Sequence, residues 1–275
     1  MSEAVSYPYE GRLFKARKKR YEEIVVFVPF FGAVQRELAR HVKLVNDLGY
    51  DAFTFDLEKI PAIMDFSQGI LTPLKKWREL KDHLKIPLNS HMKFGLKHVY
   101  ADQIENILNL VPGNKIVFSF SNPTASAIEA LARRNCVDIA GLICDSGPSG
   151  KFVDSFMNLA KIEWKINFLA LRWTLVPLLS FAWSPELHKD VSRDLEKFPD
   201  GFKILSIRGW KDLVIPPDHI DAIFDPHPKL SWRKLSLPEA AHLTGLRDFR
   251  SEYAPAVEKF MQEISKFLAN PEKAL

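Results

Sequence analysis

A chain of 275 residues, 47% of them hydrophobic, can bury one large core, and its 38 basic against 34 acidic residues leave a formal +4, too mild for the concentrated field that nucleic-acid binding requires. Its two cysteines, Cys136 and Cys144, lie in or beside apolar segments; they exclude a disulfide scaffold and point to a reduced, cytoplasmic protein. Residues Met1 to Glu10 lack a basic start followed by an apolar run, so neither a secretory signal nor a membrane anchor is expected.

Residues from about Gly11 to Arg20 alternate weakly and turn basic at Lys15-Ala-Arg-Lys-Lys-Arg20. A solvated hairpin turn is the favoured reading, with an anionic-lipid or nucleic-acid patch as the alternative. The apolar run from Ile24 to Ala33 then reads as a central parallel strand, a helix follows from about Arg36 to Leu48 and closes at Gly49, and Asp51 to Asp56 makes the next strand. Residues from about Leu57 to Phe94 read as a solvated connection with one surface helix near Leu74 to Leu84. A helix is expected over Leu96 to Leu110, stopped by Pro112-Gly113-Asn114.

The next stretch runs a strand straight into a helix with one hydroxyl at the joint. Ile116-Val-Phe118 is short, β-branched and aromatic, Thr124 to Arg134 is rich in Ala and Leu, and Ser121 sits between them. Such a turn presents the serine at the carboxyl edge of the sheet and aims the first N–H groups of the helix at whatever binds there. Ile139 to Cys144 is a further buried strand, halted at Asp145-Ser-Gly-Pro148. From about Lys151 to Pro199 no strand signal occurs, while Phe156, Trp164, Phe168, Trp173, Phe181 and Trp183 supply aromatic surface. An inserted helical cap is the favoured reading. Lys165, Asn167, Arg172 and Pro177 argue against a membrane span through Trp164 to Trp183, and a membrane-surface helix pair is the remaining alternative. The sheet resumes at Phe202 to Arg208, then at Ser231 to Leu237, and an amphipathic helix closes the chain from Tyr253 to Leu268 with Ala256, Phe260, Ile264 and Phe267 on one face.

Ser119-Phe-Ser121-Asn-Pro123 resembles the nucleophile elbow of the α/β-hydrolases, written G-x-S-x-G in that family; Ser119 and Pro123 stand where its glycines would be. Gly209-Trp-Lys-Asp212-Leu-Val-Ile-Pro216 resembles the acid loop of the family, and Ala241-His242-Leu243 its histidine loop, in the order serine, acid, histidine. A serine hydroxyl is a weak nucleophile until a histidine takes its proton, and a carboxylate must orient that ring. The resemblance spans about Ile24 to Leu268. It implies a mostly parallel, doubly wound α/β sheet with a core formed by 1–150 and 200–275 and a cap over 151–199, and a cofactor-free serine hydrolase.

That enzyme would cleave a small-molecule ester or thioester through an acyl-enzyme. Ser121, Asp212 and His242 would form the triad, the Phe31 and Asn122 N–H groups would hold the oxyanion, and Phe30, Trp164, Phe168 and Trp173 would line an apolar substrate pocket. Asp145 is the alternative acid. Two rivals stay open: a non-catalytic ligand-binding protein of the same fold, and a protein held at a membrane surface. The other seven histidines lack metal-ligand spacing, and no glycine-rich phosphate loop occurs, so neither a metal nor a nucleotide cofactor is expected.

Overall fold

The structure is a computed structural model that describes residues 11–57, 95–186 and 188–268. Seven strands form one sheet: β1 (Arg12–Phe14), β2 (Ile24–Val28), β3 (Asp51–Thr54), β4 (Lys115–Phe120), β5 (Ile139–Asp145), β6 (Lys203–Gly209) and β7 (Ser231–Leu237), in the spatial order β1-β3-β2-β4-β5-β6-β7. Strands β2 to β7 pair in parallel, and only β1 runs antiparallel, against β3. The α/β class and the mostly parallel sheet expected from the alternation of elements are both present. Because β1 pairs with β3 and not with β2, the basic run Lys15 to Arg20 is no hairpin turn; it crosses from the edge strand to an interior one.

The central strands are apolar on both faces because helices cover both. Along β2, Ile24, Val26 and Val28 pack into one core, with Val117 and Leu142, while Val25 and Phe27 join the opposite core, with Ile116, Phe118 and Ile143. The first core is covered by α2 (Leu96–Leu110), α3 (Thr124–Arg133), α6 (Lys189–Leu195) and α7 (Pro217–Phe224). The second is covered by α1 (Ala39–Leu48), the short α8 (Gly245–Asp248) and α9 (Arg250–Ile264). Period-two side chains on a sheet buried on both sides leave an unbroken apolar run in the sequence, which is why the strands were readable.

Helix α1 is preceded by a 3-10 turn, Gln35–Leu38, and stopped by Gly49 at φ 99°, a left-handed position that glycine adopts without steric penalty. Helix α7 was not expected, since its eight residues begin at the second of two consecutive prolines; Pro216 is the N-cap and Pro217 opens the helix, where a missing N–H costs nothing. Helix α9 begins at Arg250 and ends at Ile264, four residues short of the expected Leu268. Phe267 therefore leaves the helical face and forms a β-bridge with Tyr21, their rings 4.7 Å apart. The surface helix expected near Leu74 to Leu84 lies outside the described residues, as does the N-terminal decapeptide.

Between β5 and β6 come α4 (Phe152–Ile162), α5 (Leu169–Trp183) and α6. Helix α6 is tied to the body of the molecule by charge. The ammonium of Lys97, fully buried on α2, lies 2.7 Å from Asp190 and 3.3 Å from Asp194 on α6 and 2.9 Å from Glu129 on α3. Ser184, just past α5, donates to Asp190 at 3.0 Å. Burial alone would depress the Lys97 pKa, but the carboxylates of Glu129, Asp190 and Asp194 together raise it. Among the described residues no helix is long and apolar enough to cross a membrane.

Candidate active site

Strand β4 delivers the chain to Ser121 at the carboxyl edge of the sheet, and the turn into α3 is made by Ser121 itself, held at φ 53°. A non-glycine residue adopts that left-handed geometry at a cost of about 1–3 kcal/mol. Three contacts hold it there. The Ser121 N–H donates to the Asp145 carbonyl at 2.8 Å, and the Ser121 carbonyl accepts from the Thr124 N–H at 3.2 Å. Gly147 packs so closely that a Cβ on it would stand 2.3 Å from the Ser121 carbonyl oxygen. Ser119 is fully buried and turns its hydroxyl to the Ile143 carbonyl at 3.2 Å. Pro123 occupies the N-cap of α3 at φ −55° and ψ −17°, angles that a helix entry accepts.

Strands β6 and β7 are parallel neighbours with Gly209 in register with Leu237, so the loops that follow them leave the sheet side by side. The Trp210 N–H donates to the Leu237 carbonyl and the Lys211 N–H to the Ala240 carbonyl, each at 3.0 Å. A Cβ at Gly209 would lie 2.2 Å from the Ala240 oxygen, so only glycine permits this approach. The first loop places Asp212, 2% exposed. Its Oδ1 accepts from the Val214 and Ile215 N–H groups at 2.9 and 2.8 Å, and its Oδ2 lies 2.7 Å from His242 Nδ1. The second loop is pinned where the Leu243 N–H donates to Ser146 Oγ at 3.1 Å. His242 Nε2 then stands 3.1 Å from Ser121 Oγ. A carboxylate only accepts, so Nδ1 carries a proton, and in the neutral ring Nε2 is left to accept from the serine hydroxyl.

The structure thus brings Ser121, His242 and Asp212 into one hydrogen-bonded chain. Asp145 is turned away from it: its Oδ2 accepts from the Tyr253 hydroxyl at 2.6 Å and its Oδ1 from Ser146 at 2.9 Å. Burial, and then the Asp145 charge, push the Tyr253 phenol well above its ordinary pKa, so it stays a donor. Phe31 lies in a turn closed by the Ala33 N–H on the Phe30 carbonyl at 3.0 Å, with Gly32 at φ 78°. Among the described residues no acceptor takes the N–H of Phe31 or of Asn122. Ser146, Gly147 and Gly209 support the site without having been singled out as site residues; the signal available was the strand-ending Asp145-Ser-Gly-Pro148 and Gly209.

Ser121, Asn122 and His242 open on a cavity of about 450 Å³. Phe30, Phe31 and Leu96 line it from the body of the molecule, and Phe156, Leu159 and Trp164 from α4 and the loop after it. Leu179, Ala182 and Trp183 of α5 complete an apolar wall in which, among the described residues, Glu163 is the one carboxylate. Phe30 and Trp164 are among these lining residues, whereas Phe168 and Trp173 are not: they are 71% and 61% exposed. The buried face of α5 is Val176, Leu179, Ser180 and Trp183; Trp173 falls on another side of the helix, and Phe168 precedes its first turn.

Neither thiol lines the cavity at Ser121. Cys144 is buried with its pKa raised by desolvation, and the same cause pushes Cys136 up to about 12. Among the described residues one group brings metal-ligating atoms within 4.8 Å of one another, His98, Glu129 and Asp190. Lys97 contacts both carboxylates and already supplies positive charge there.

No protein-family model and no curated protein matches the sequence. Solved structures do match it. A hydrolase from Oleispira antarctica superposes with a TM-score of 0.60 at 14% identity, over 94% of this chain and 99% of the other. A carboxyl esterase from Bacillus coagulans does so with a TM-score of 0.57 at 14% identity, over 96% of both chains. An α/β hydrolase from a lagoon-sediment metagenome gives 0.51 at 12% identity, over 94% and 97%. With the seven-stranded sheet, the serine turn at the end of β4 and near-complete coverage, this chain has the α/β-hydrolase fold.

Proposed function

We propose that the protein is a serine hydrolase that cleaves a carboxylic ester or thioester bearing an apolar acyl group. The observation that carries this reading is the chain from Ser121 Oγ to His242 Nε2 at 3.1 Å and from His242 Nδ1 to Asp212 at 2.7 Å, opening on an apolar cavity. In the first step Ser121 Oγ bonds to the acyl carbon while His242 Nε2 takes the hydroxyl proton. Asp212, its charge held by two backbone N–H groups, orients the ring and stabilises the imidazolium. The tetrahedral oxyanion is received by the Asn122 and Phe31 N–H groups. Collapse expels the alcohol or thiol, which takes the proton from His242 and leaves the acyl group on Ser121. Water, deprotonated by His242, then attacks the acyl carbon, and release of the carboxylic acid returns the proton to Ser121.

The cap in this reading comprises α4 and α5, which wall the cavity. Helix α6 belongs to the core, since Asp190 and Asp194 bind Lys97. Treatment with a fluorophosphonate tests the reading. Intact-mass analysis should find a single adduct on the wild-type chain and none on Ser121→Ala. A wild-type chain that takes no adduct and hydrolyses no ester would sustain the non-catalytic, ligand-binding alternative instead.

A further inference from the structure

The sequence contains a second concentration of chemistry that the hydrolase reading leaves unused, the basic run Lys15 to Arg20. The fold turns this run into one wall of a groove of about 880 Å³ whose other wall is α1 and the turn before it. Arg12, Lys15, Arg17, Lys18 and Arg20 line it from the β1–β2 segment, and Arg36 and Lys43 face them from the other side. Among the described residues Asp47 is the one carboxylate in the lining, and Lys43 already holds it at 2.7 Å. Even with Lys15 set aside, six cations against one carboxylate among the described lining residues is a local excess greater than the +4 of the whole chain. Phe14, Ala39 and Val42 give the groove an apolar floor.

Like charges gathered on a concave surface repel one another and strengthen the field inside it, so a structural role would leave them paired with carboxylates. The lysine nearest to that description, Lys19, is indeed paired, with Asp51 at 2.9 Å, and it does not line the groove. Among the described residues no carboxylate pairs with Arg12, Arg17, Lys18, Arg20 or Arg36. Four of these five are arginines, whose planar fork matches phosphate oxygens two at a time. No residue of this groove lines the cavity at Ser121.

We propose that this groove is a binding site for a ligand that carries clustered phosphate groups, either a soluble polyphosphate or a multiply phosphorylated lipid headgroup. The cationic walls take the phosphates, and the floor of Phe14, Ala39 and Val42 takes an apolar part of the ligand. Bound ligand stabilises the folded chain, because the unfolded chain has no groove.

Inorganic tripolyphosphate and vesicles containing phosphatidylinositol bisphosphate are titrated separately against the full chain, with Tm and binding as readouts. Vesicles of phosphatidylserine at equal charge, and an RNA homopolymer, serve as comparisons. Wild type should bind tripolyphosphate at low salt, with a raised Tm and an affinity that falls steeply as salt shortens the screening length from about 10 Å at 0.1 M to about 3 Å at 1 M. Arg17→Glu combined with Lys18→Glu should weaken binding by about tenfold or more while leaving ester hydrolysis unchanged; both side chains are exposed and neither lines the cavity at Ser121. If only the bisphosphate vesicles bind, the ligand is a lipid headgroup; if both bind, a soluble polyphosphate suffices. Absence of binding to either, equal binding by the variant, equal binding to phosphatidylserine, or tighter binding to RNA than to tripolyphosphate would each overturn the proposal.

Discussion

Replacing Gly147 by alanine tests how Ser121, the proposed nucleophile, is held, because it adds one methyl group against the Ser121 backbone and touches none of the side chains of Ser121, Asp212 and His242. That methyl carbon would stand 2.3 Å from the Ser121 carbonyl oxygen, 2.5 Å from its carbonyl carbon and 2.8 Å from its Cα. Ordinary contact begins near 3.4 Å, so one of the two segments must retreat by about 1 Å. No flexible side-chain end can absorb this, since all three contacted atoms are backbone. Ser121 is also tied through its N–H to Asp145, the residue whose carboxylate holds Tyr253. Overpacking of this kind destabilises a fold by about 1–3 kcal/mol. A displacement of about 1 Å at a reacting atom lowers turnover by about 10²-fold. The assay is kcat/KM on a p-nitrophenyl ester together with the rate of fluorophosphonate labelling and the urea midpoint. Both rates should fall together while the protein stays folded. A variant with wild-type rates would refute the claim that this backbone contact sets the position of Ser121.

Asp212→Asn and His242→Ala should each lower turnover by orders of magnitude with little change in urea midpoint, since triad members act as a unit; Asp145→Asn should lose stability through the Tyr253 contact yet keep most activity, and the reverse pattern would move the acid role to Asp145. Lys97→Met should lower stability by about 3–5 kcal/mol, measured by urea denaturation, because the buried carboxylates of Asp190 and Asp194 would lose their buried cation and Glu129 would keep only His98 and Arg133. Burial opposes ionisation of Glu129, but the hydrogen bond from His98 and the Lys97 charge outweigh it and hold its carboxyl well below the ordinary 4.5. Its contribution is therefore complete above pH 4.5 and is lost as pH falls toward the lowered value, so urea midpoints should decline from about pH 5 downward, and less steeply in Glu129→Gln. Along a p-nitrophenyl series from acetate to octanoate, kcat/KM should climb by up to about fourfold per methylene, the equivalent of ~0.8 kcal/mol, until the cavity is full; a steady fall from acetate would remove the apolar-pocket reading while leaving the triad reading standing.

The order of strands and helices was legible because each is a local matter. Val25-Val-Phe-Val28 reads as a strand covered on both faces whatever surrounds it, and the joint Phe120-Ser121-Asn122 between such a strand and an Ala-rich helix marks a sharp turn with a hydroxyl on it. Asp212 and His242 could be named for the same reason, as loop residues just past apolar strands. Their meeting could not be read from spacing: it depends on β6 and β7 lying side by side with Gly209 against Ala240. The α5 residues show the limit most plainly. Trp173 and Trp183 have the same chemistry in the same helix, yet one is 61% exposed and the other 4%, because the apolar composition of that helix is nearly uniform around its axis and gives no face to choose.

What the sequence determined by itself, then, is the alternation of elements, the two-sided burial of the sheet and Ser121, Asp212 and His242 as candidates for one site. Tertiary structure alone decided the rest. The left-handed backbone of Ser121 is imposed by the Asp145 carbonyl and by Gly147, 24 and 26 positions further along the chain. Lys97 acquires its carboxylates from positions 129, 190 and 194, and the basic run becomes a groove only because β1 skips β2 to pair with β3 and α1 packs alongside. Periodicity and turn chemistry are encoded within a few residues, whereas contacts between remote segments follow from which faces the packed sheet brings together.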